Sequence, residues 1–456
     1  MSKLACFKAY DVRGRIGDTL DTEIAQDVGR AVAEVLGARC VVVGRDIRDS
    51  SPALCEALGA GLRAAGADVR DIGLCGTEEV YFATDHLDAC AGVMVTASHN
   101  PIDYNGFKIV GRGARPLPDA QFRAIERLAA TRAFAAPTAQ SGTHLEADTR
   151  AAYVARVCSF VDPAALGPVH VVANAGNGCA GSTFDAVIAA LEAGGAKIEV
   201  TRLHHAPDAR FPNGIPNPLL PENQPATSAA ITRAGADLGI AWDGDFDRCF
   251  FFDETGAFIP GEFVVGLLAE AILEQTPGAS IVYDPRVVWN TRRIVEAAGG
   301  AAVLSKTGHV LVKDTMRRND AAYGGEMSAH HYFRDFMFCD SGMIPWLLML
   351  ERLSKSGRPL SAAVAEMRRR HPSSGEINFR VSDAARVMAT LRQHYADSAE
   401  HIDTLDGVSM EFADWRFNLR ASNTEPLLRL NVETLESAAL LDRRVGEIRS
   451  MIEAAA

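Results

Sequence analysis

The loop Asp243-Gly244-Asp245-Phe246-Asp247-Arg248 carries three carboxylates at alternate positions of the chain. In an extended segment such carboxylates fall on one side, where they repel one another unless a cation lies between them. Oxygen ligands without His or Cys favour Mg²⁺. A solvated acidic turn is one alternative. A calcium-binding helix–loop–helix is another, because Glu254 is twelfth from Asp243, but Arg248 stands where that motif requires glycine, and the run after it is predicted to be a strand.

Ser98 is a second candidate, in the loop Thr96-Ala97-Ser98-His99-Asn100-Pro101. It follows a predicted strand, and ligands gather beyond the carboxyl ends of strands in parallel α/β sheets. A serine oxygen can accept a phosphoryl group and divide one difficult transfer into two easier ones. Lys108 could neutralise a phosphate, and Asn105-Gly106 is predicted to be a turn. An ordinary loop serine is the alternative, whereas a hydrolase elbow would need a Gly-x-Ser-x-Gly pattern, which the sequence lacks.

Lys306-Thr307-Gly308-His309 also follows a predicted strand. His309 titrates near neutral pH and could serve as a general acid or base. Lys306 could hold a phosphate or a sugar hydroxyl. A structural loop is the alternative.

Glu326 and Ser328 follow Gly324-Gly325, where the backbone can approach a ligand closely. A carboxylate and a hydroxyl two residues apart suit two neighbouring sugar hydroxyls, and a structural loop is again the alternative. The pair His330-His331 suggests zinc only weakly, because no further ligands stand at a supporting spacing.

The segment Arg420-Ala421-Ser422-Asn423-Thr424-Glu425-Pro426 joins two predicted strands, and Arg429 lies just beyond it. Arginine grips phosphate with two donors, while Ser, Asn and Thr add neutral donors. Successive loop amides can also form an anion-binding nest. The segment therefore predicts a phosphate cradle, with a polar β-hairpin turn as the alternative.

The elements that must position these loops alternate between short β-branched runs and helical patterns over most of the 456 residues. This order occurs three times and predicts mostly parallel sheets covered by helices. In the first repeat Ser51-Pro52 is predicted to open a helix, with Ser51 as its cap. The tail is predicted to be α+β. We expect four domains, at residues 1–146, 147–253, 254–368 and 369–456.

The net charge, the apolar runs and the cysteines limit which partners and which cellular compartment we expect. The formal net charge is −12, which argues against nucleic acid as a partner. No apolar run is long enough to predict a membrane span, and the N-terminus lacks a signal-peptide pattern. Nine scattered cysteines without a Cys-x-x-Cys pair predict free thiols in a reducing cytoplasm.

Together the loops resemble the α-D-phosphohexomutase superfamily, within it the bacterial phosphomannomutase/phosphoglucomutase group. The likeness covers essentially the whole chain in the family's order. Similar segments are the phosphoserine loop (Thr96 to Pro101, with Tyr104 to Lys108), the metal loop (Asp243 to Arg248), the sugar-binding loops (Lys306 to His309 and Gly325 to Ser328) and the phosphate loop (Arg420 to Thr424). Tyr10-Asp11-Val12-Arg13-Gly14 resembles the family's N-terminal signature, whose Tyr and Arg line the same cleft.

The resemblance implies three similar mixed-sheet α/β domains and a C-terminal α+β domain around a central cleft. It implies reversible conversion of hexose 6-phosphate and hexose 1-phosphate, mannose or glucose, through phosphorylated Ser98 and a hexose 1,6-bisphosphate. The implied catalytic residues are Ser98, His99, Lys108, Arg248 and His309. The implied Mg²⁺ ligands are Ser98, Asp243, Asp245 and Asp247. The implied substrate-binding residues are Tyr10, Arg13, Lys306, Glu326, Ser328, His330, Arg420, Ser422, Asn423, Thr424 and Arg429.

The same resemblance implies a monomer that binds a small phosphosugar and supplies precursors of sugar nucleotides for polysaccharide synthesis. Glu326-Met327-Ser328 resembles the mannose/glucose type, since glucosamine-specific relatives tend to carry Gln where Met327 stands. Two departures occur: Phe246 stands where Gly is common, and Ala329 precedes His330 where Gly is common. Rival functions are a phosphatase that hydrolyses a phosphoserine, and a non-catalytic sugar-phosphate sensor.

Overall fold

The computed structural model describes residues 4–136, 140–421 and 427–455. The chain divides into two units. The first comprises Met1–Phe258 and Tyr332–Gly357, and the second comprises Ile259–His331 and Arg358–Ala456. None of the helices in the described part of the chain combines the length and the apolar character that crossing a bilayer requires.

The first sheet carries the serine loop. Its strands are β1 (Val12–Arg15), β2 (Cys40–Arg45), β3 (Asp68–Leu74), β4 (Ala91–Val95), β5 (Tyr104–Gly111), β6 (Arg115–Pro116) and β7 (His144–Glu146). Its helices are α1 (Thr22–Leu36), α2 (Ser51–Ala64), α3 (Thr77–His86) and α4 (Asp119–Thr131). The strand order is β1-β5-β4-β2-β3-β7, with β6 beside β5. Strands β4, β2, β3 and β7 are parallel and β5 is antiparallel to both neighbours, so the sheet is mixed.

The second sheet carries the acidic loop. Its helices and strands are α5 (Arg150–Cys158), β8 (Val169–Asn174), α6 (Ala180–Ala193), β9 (Ile198–Leu203), α7 (Pro225–Ala234), β10 (Leu238–Trp242), β11 (Cys249–Phe252) and β12 (Phe258–Ile259). The order is β12-β11-β10-β8-β9. Strand β10 is parallel to β8 and antiparallel to β11, so the chain reverses through the acidic loop.

The third α/β segment follows the same order. Its elements are α8 (Gly261–Gln275), β13 (Ser280–Tyr283), α9 (Trp289–Ala297), β14 (Ala301–Leu304), α10 (His309–Arg318), β15 (Tyr323–Gly325), β16 (His331–Phe333), β17 (Cys339–Asp340), α11 (Ile344–Ser356) and α12 (Leu360–Arg370). In the second unit β13 is parallel to β14 and β15. In the first unit Tyr332 of β16 lies opposite Asp340 of β17, antiparallel.

The C-terminal segment is a separate antiparallel sheet. Its elements are β18 (Ile377–Arg380), α13 (Ala384–Tyr395), β19 (His401–Asp403), β20 (Val408–Glu411), β21 (Trp415–Ala421), β22 (Leu427–Thr434) and α14 (Ala438–Ala455). The order is β18-β22-β21-β20-β19. Alternate strand residues such as Phe417, Leu419, Leu430 and Val432 form its core with helix residues such as Leu391 and Ile448. The predicted class, three α/β domains and a C-terminal α+β domain, is confirmed.

Two local predictions are wrong. Ser51 is not the cap of α2: the helix begins at Ser51, and its hydroxyl donates to Asp46 instead. Asn105-Gly106 is not a turn but lies inside β5. The Asn105 side chain is buried and donates to the hydroxyl of Ser51 at 2.9 Å. Gly106 lies opposite Arg13 of β1, and the missing side chain lets the two strands approach.

Gly106→Ala is expected to destabilise the protein, because a Cβ there would lie 1.9 Å from the carbonyl oxygen of Val12. The overpacking should lower the free energy of unfolding by about 2 kcal/mol or more. Urea denaturation measures the change. Gly111→Ala, in the same strand, is the matched control, because its Cβ would have its nearest neighbour at 3.4 Å. Equal effects of the two substitutions would contradict the account.

Candidate active site

The Ser98 side chain lies at the carboxyl end of β4, as the sequence predicts. Ser98 has a φ of +47° and is 5% exposed. Its Oγ donates to Asp243 Oδ2 at 2.6 Å and lies 3.0 Å from His99 Nδ1. The structure therefore brings the serine loop and the acidic loop into direct contact.

Arg48, which sequence reasoning missed, holds the serine loop in shape. Its side chain is 2% exposed, and its two terminal nitrogens donate to backbone carbonyls of the loop. The acceptors are Ser98 (2.9 Å), Asn100 (2.6 Å), Pro101 (2.8 Å) and Tyr104 (3.1 Å). Asp46 accepts from the amide of Ala97 at 3.3 Å and pairs with Arg48 Nε at 3.5 Å. The available signal was a pair of opposite charges, Asp46 and Arg48, directly after the predicted strand β2.

The three aspartates of the acidic loop are buried together. Asp243 and Asp245 are 0% exposed and Asp247 is 2% exposed, and one oxygen of each lies within 4.8 Å of the others. The burial contradicts a solvated turn. Strands β10 and β11 on either side contradict the calcium helix–loop–helix. The carboxylates converge through a turn in which Phe246 has a φ of +43°, rather than through an extended segment.

Two basic side chains contact this carboxylate cluster. Lys108 Nζ lies 2.8 Å from Asp245 Oδ2 and also contacts Asp247, while Arg248 Nη2 lies 2.8 Å from Asp243 Oδ2. Burial raises the pKa of Asp245, but the Lys108 ammonium outweighs it and holds that pKa below its usual range. For Asp247, burial and the Asp245 charge together raise the pKa. The three carboxylates of the cluster therefore outnumber the two basic side chains that contact them.

The cluster fits a divalent cation. Among the residues that the structure describes, none donates a hydrogen bond to Asp245 Oδ1 or Asp247 Oδ1, and both oxygens are buried. Buried oxygens of this kind are normally satisfied. An all-oxygen donor set suits a hard cation such as Mg²⁺. The acidic residues can therefore hold a metal.

Phe246, the first departure from the family pattern, depends on a glycine in another loop. Its ring is fully buried, and a Cβ on Gly76 would lie 2.2 Å from it. The next residue, Thr77, donates from its amide to the carbonyl of Asp245 at 3.0 Å and from its hydroxyl to Asp245 Oδ2 at 2.6 Å. The loop before α3 therefore shapes the metal loop both by space and by hydrogen bonds.

Of the remaining predicted residues of the first unit, Arg13 and His99 have contacts at the serine loop, and Tyr10 lies before β1. Arg13 donates to the carbonyl of Thr96 at 2.9 Å. His99 contacts Arg248, whose charge, followed by burial, lowers the pKa of His99 well below its usual value. The His99 ring is therefore neutral. Tyr10 is 41% exposed, in the segment before β1.

The second unit joins the two predicted sugar-binding loops. The amide of Gly308 donates to Glu326 Oε1 at 2.8 Å. Ser328 Oγ lies 3.2 Å from His330 Nδ1, which is 3.9 Å from Glu326 Oε2. The structure thus brings Glu326, Ser328 and His330 together. It places His309 at the first turn of α10.

Two further predictions on this unit have different outcomes. Lys306 is exposed and lines a cavity of about 630 Å³ with Arg318 and Leu405. His331 is buried with its Nδ1 2.8 Å from the Tyr323 hydroxyl, and burial lowers its pKa to about 3. His330 and His331 therefore have different partners, and the weak zinc interpretation gains no support.

Arginines of the predicted phosphate cradle lie on facing strands. Arg420 of β21 is directly opposite Arg429 of β22. Arg286, between β13 and α9, was missed by sequence reasoning. It is 5% exposed and makes a bidentate pair with Asp284, from Nη2 to Oδ2 at 2.6 Å and from Nε to Oδ1 at 3.1 Å. The predicted ligands Ser422, Asn423 and Thr424 lie outside the described residues.

Comparison with known proteins is consistent along the whole chain. Family models described as phosphoglucomutase/phosphomannomutase match in four consecutive parts. These are alpha/beta/alpha domain I (residues 5–136), domain II (151–256), domain III (260–370) and the C-terminal domain (376–451). A phosphomannomutase of Salmonella montevideo is 52% identical over 454 residues, covering 99% of this chain and 100% of the relative.

Two further relatives agree. A protein of Xanthomonas campestris pv. campestris named phosphohexose mutases is 55% identical over 450 residues, covering 98% of this chain and 99% of the relative. The crystal structure of a phosphoglucomutase/phosphomannomutase family protein from Burkholderia thailandensis superposes with a TM-score of 0.89 at 35% identity, covering 100% and 98% of the two chains.

The fold and these matches define a mutase, an isomerase that acts as an intramolecular phosphotransferase on hexose phosphates. The chain belongs to the phosphoglucomutase/phosphomannomutase family.

Gly76→Ala is expected to displace the Phe246 ring and with it the metal loop, lowering turnover of hexose phosphate by about tenfold or more. Phe246→Gly removes the obstacle, so the double variant Gly76→Ala/Phe246→Gly should lose less than the sum of the single losses. Steady-state kinetics of the three variants measure the coupling. Gly59→Ala, whose Cβ would have its nearest neighbour at 4.0 Å, is the control. Additive losses would show that the two positions do not interact.

Proposed function

We propose that this mutase interconverts hexose 6-phosphate and hexose 1-phosphate, of mannose, glucose or both, through a phosphoserine at Ser98. The observation that carries the proposal is the placement of the Ser98 hydroxyl, buried and 2.6 Å from an aspartate of a carboxylate cluster. An ordinary loop serine, the alternative interpretation, gives no reason for three buried carboxylates beside its hydroxyl. The names of the relatives, phosphomannomutase and phosphohexose mutases, support mannose and other hexoses as substrates.

The proposed cofactor is Mg²⁺, held by Asp243, Asp245, Asp247 and the Ser98 oxygen. When bound, it would supply charge stabilisation for the transferring phosphoryl group. The unsatisfied oxygens of Asp245 and Asp247 support this assignment.

The side chains around Ser98 have distinct proposed roles in transfer. Asp243 orients the serine oxygen by accepting its hydrogen bond. Arg248, which donates to Asp243, and Lys108 stabilise the negative charge that moves with the phosphoryl group. His99 Nδ1 lies 3.0 Å from Ser98 Oγ and also contacts Arg248, so His99 is proposed to hold the guanidinium group beside the serine oxygen. Arg13 helps to hold the loop through the carbonyl of Thr96.

The second unit is proposed to bind the rest of the sugar phosphate. Glu326, Ser328 and His330 suit neighbouring sugar hydroxyls, with Lys306 and Tyr10 as further proposed contacts. His309 is the proposed general acid or base for the attacking hydroxyl. Arg420 and Arg429, with Ser422, Asn423 and Thr424, are the proposed phosphate ligands.

A mutase that gives its phosphate away must recover one, so the proposed intermediate and activator is hexose 1,6-bisphosphate. The products would supply sugar-nucleotide precursors for polysaccharide synthesis. We further propose that the protein is a monomer and that it is cytoplasmic. The nine free thiols support the second of these proposals. The domain limits near residues 146, 253 and 368 stay predictions, as does the arrangement of the domains around a central cleft.

A phosphatase is the principal alternative, because hydrolysis of the same phosphoserine would use the same residues. It would release inorganic phosphate without isomerisation. A non-catalytic sugar-phosphate sensor is a weaker alternative, since Ser98, the aspartates and Lys108 form a complete cluster rather than a decayed one.

Ser98→Ala is expected to lower turnover by at least about a thousandfold, since the phosphate carrier is lost. Assays use mannose 1-phosphate and glucose 1-phosphate, and intact-mass spectrometry after incubation with glucose 1,6-bisphosphate should show a phosphate on the wild type and none on the variant. Ser409→Ala, a buried serine of β20 bonded to Asn418, is the control and should keep its activity. Near-normal turnover by the Ser98 variant would refute the phosphoserine mechanism.

Removal of divalent cations with EDTA is expected to abolish turnover, and added Mg²⁺ should restore it. Calorimetry should detect Mg²⁺ binding to the wild type and much weaker binding to Asp245→Asn, because the substitution removes a ligand charge while keeping the side-chain shape. Asp185→Asn is the control, since Asp185 pairs with Arg202 and His205 in the same unit. Full activity in EDTA would exclude the proposed cofactor.

A further inference from the structure

Three arginines of the second unit converge on one carboxylate, that of Glu376. Arg420 Nη2 lies 3.2 Å from Glu376 Oε2, and Arg429 Nη1 lies 3.4 Å from Oε1. Arg286 Nη1 lies 3.6 Å from Oε2. We call these four side chains the Glu376 cluster.

The sheet itself creates the cluster. Arg420 and Arg429 are directly opposite each other on the antiparallel strands β21 and β22, where like charges repel. Strand β18 pairs with the other side of β22, with Asn378 opposite Arg429. Glu376 comes directly before β18, so the register delivers its carboxylate to both arginines.

The positive charge of the three arginines favours an anion that carries more negative charge than the single carboxylate of Glu376. Three guanidinium groups share the Glu376 carboxylate, and Asp284 balances one of their charges through a bidentate pair with Arg286. Arg420 is 4% exposed, and burial, followed by the nearby Arg286 charge, lowers its pKa. A phosphate dianion offers more charge and more acceptor oxygens than Glu376, so it can compete for the same guanidinium groups.

We propose that Glu376 is a positioning residue that serves as an internal counter-ion for Arg286, Arg420 and Arg429 and yields them to the phosphate of the substrate. The inference rests on the proposed function, which assigns Arg420 and Arg429 to phosphate. The inference gives a role to Glu376, which the assignment of Arg420 and Arg429 to phosphate leaves without one.

An internal counter-ion has a specific value for a mutase. The bisphosphate intermediate must leave the phosphate cradle and rebind the other way round. Buried guanidinium groups without a counter-charge are costly, so a cradle of arginines alone would hold the phosphate too long. Glu376 lowers that cost by taking back the arginines as the phosphate departs, so it weakens binding and speeds turnover.

Glu376→Gln tests the proposal, since the amide keeps the shape and removes the charge. Calorimetry with inorganic phosphate should show about tenfold tighter binding than in the wild type, the equivalent of about 1.4 kcal/mol. The KM for hexose 1-phosphate should fall and kcat should fall with it. Glu376→Asp, which keeps the charge but is shorter, should lie between the two. A thermal melt establishes that each variant is folded.

Glu366→Gln is the matched control, because Glu366 also pairs with two arginines, Arg358 and Arg370, at 3.0 and 2.7 Å, on an exposed part of α12. Its phosphate affinity, KM and kcat should match the wild type. A merely structural role of Glu376 would lower stability without tightening phosphate binding. Unchanged or weaker phosphate binding in Glu376→Gln would therefore overturn the inference.

Arg420→Gln separates this inference from the proposed function. It should weaken phosphate binding in calorimetry. If it does so while Glu376→Gln fails to tighten binding, the counter-ion role is wrong and the phosphate site stands. If Arg420→Gln leaves phosphate binding unchanged, the phosphate assignment is wrong, and the role of Glu376 is overturned with it.

Discussion

The first unit depends on a balance between buried carboxylates and the cations that reach them. Asp243, Asp245 and Asp247 cannot be buried within 4.8 Å of one another unless positive charge comes from elsewhere. Lys108 comes from the middle of β5 and contacts two of them, which joins the first sheet to the loop of the second. The burial that makes the cluster costly would also strengthen its action in the proposed phosphoryl transfer, because charges interact most strongly where water is excluded.

Contiguous apolar runs made many of the strands predictable. Strands β4 and β10, which precede the serine loop and the acidic loop, consist of apolar residues and glycine and are buried along their whole length, so the local pattern alone indicates both. The turn prediction at Asn105-Gly106 is wrong because the conformation there depends on a strand that is remote in the sequence. Asn105-Gly106 has the composition of a turn, yet the approach of β1 keeps it in a strand. No local pattern contains that information.

The two departures from the family pattern share a physical feature. Phe246 has a φ of +43° and Ala329 a φ of +68°, so both residues occupy the left-handed region that glycine adopts without strain. The strain is of order 1 kcal/mol at each position. At Phe246 burial of the phenyl ring, worth about 2 kcal/mol, offsets it. At Ala329 nothing in the structure explains the extra methyl group.

The three α/β repeats share one kind of backbone turn at or just after the end of a strand. After β2 the amide of Arg48 donates to Asp46 at 3.0 Å, and after β13 the amide of Arg286 donates to Asp284 at 2.8 Å. At the end of β8 the amide of Gly176 donates to Asn174 at 2.9 Å. The turns differ in their third residue, which is Arg48, Arg286 or Gly176. Each arginine folds back on its own aspartate and also reaches another loop, Arg48 that of Ser98 and Arg286 that of Glu326. A Cβ at Gly176 would instead lie 2.4 Å from Pro216, so no side chain fits there. The same backbone turn therefore presents a supporting arginine in two repeats, and in the other it allows the backbone to pack closely against Pro216.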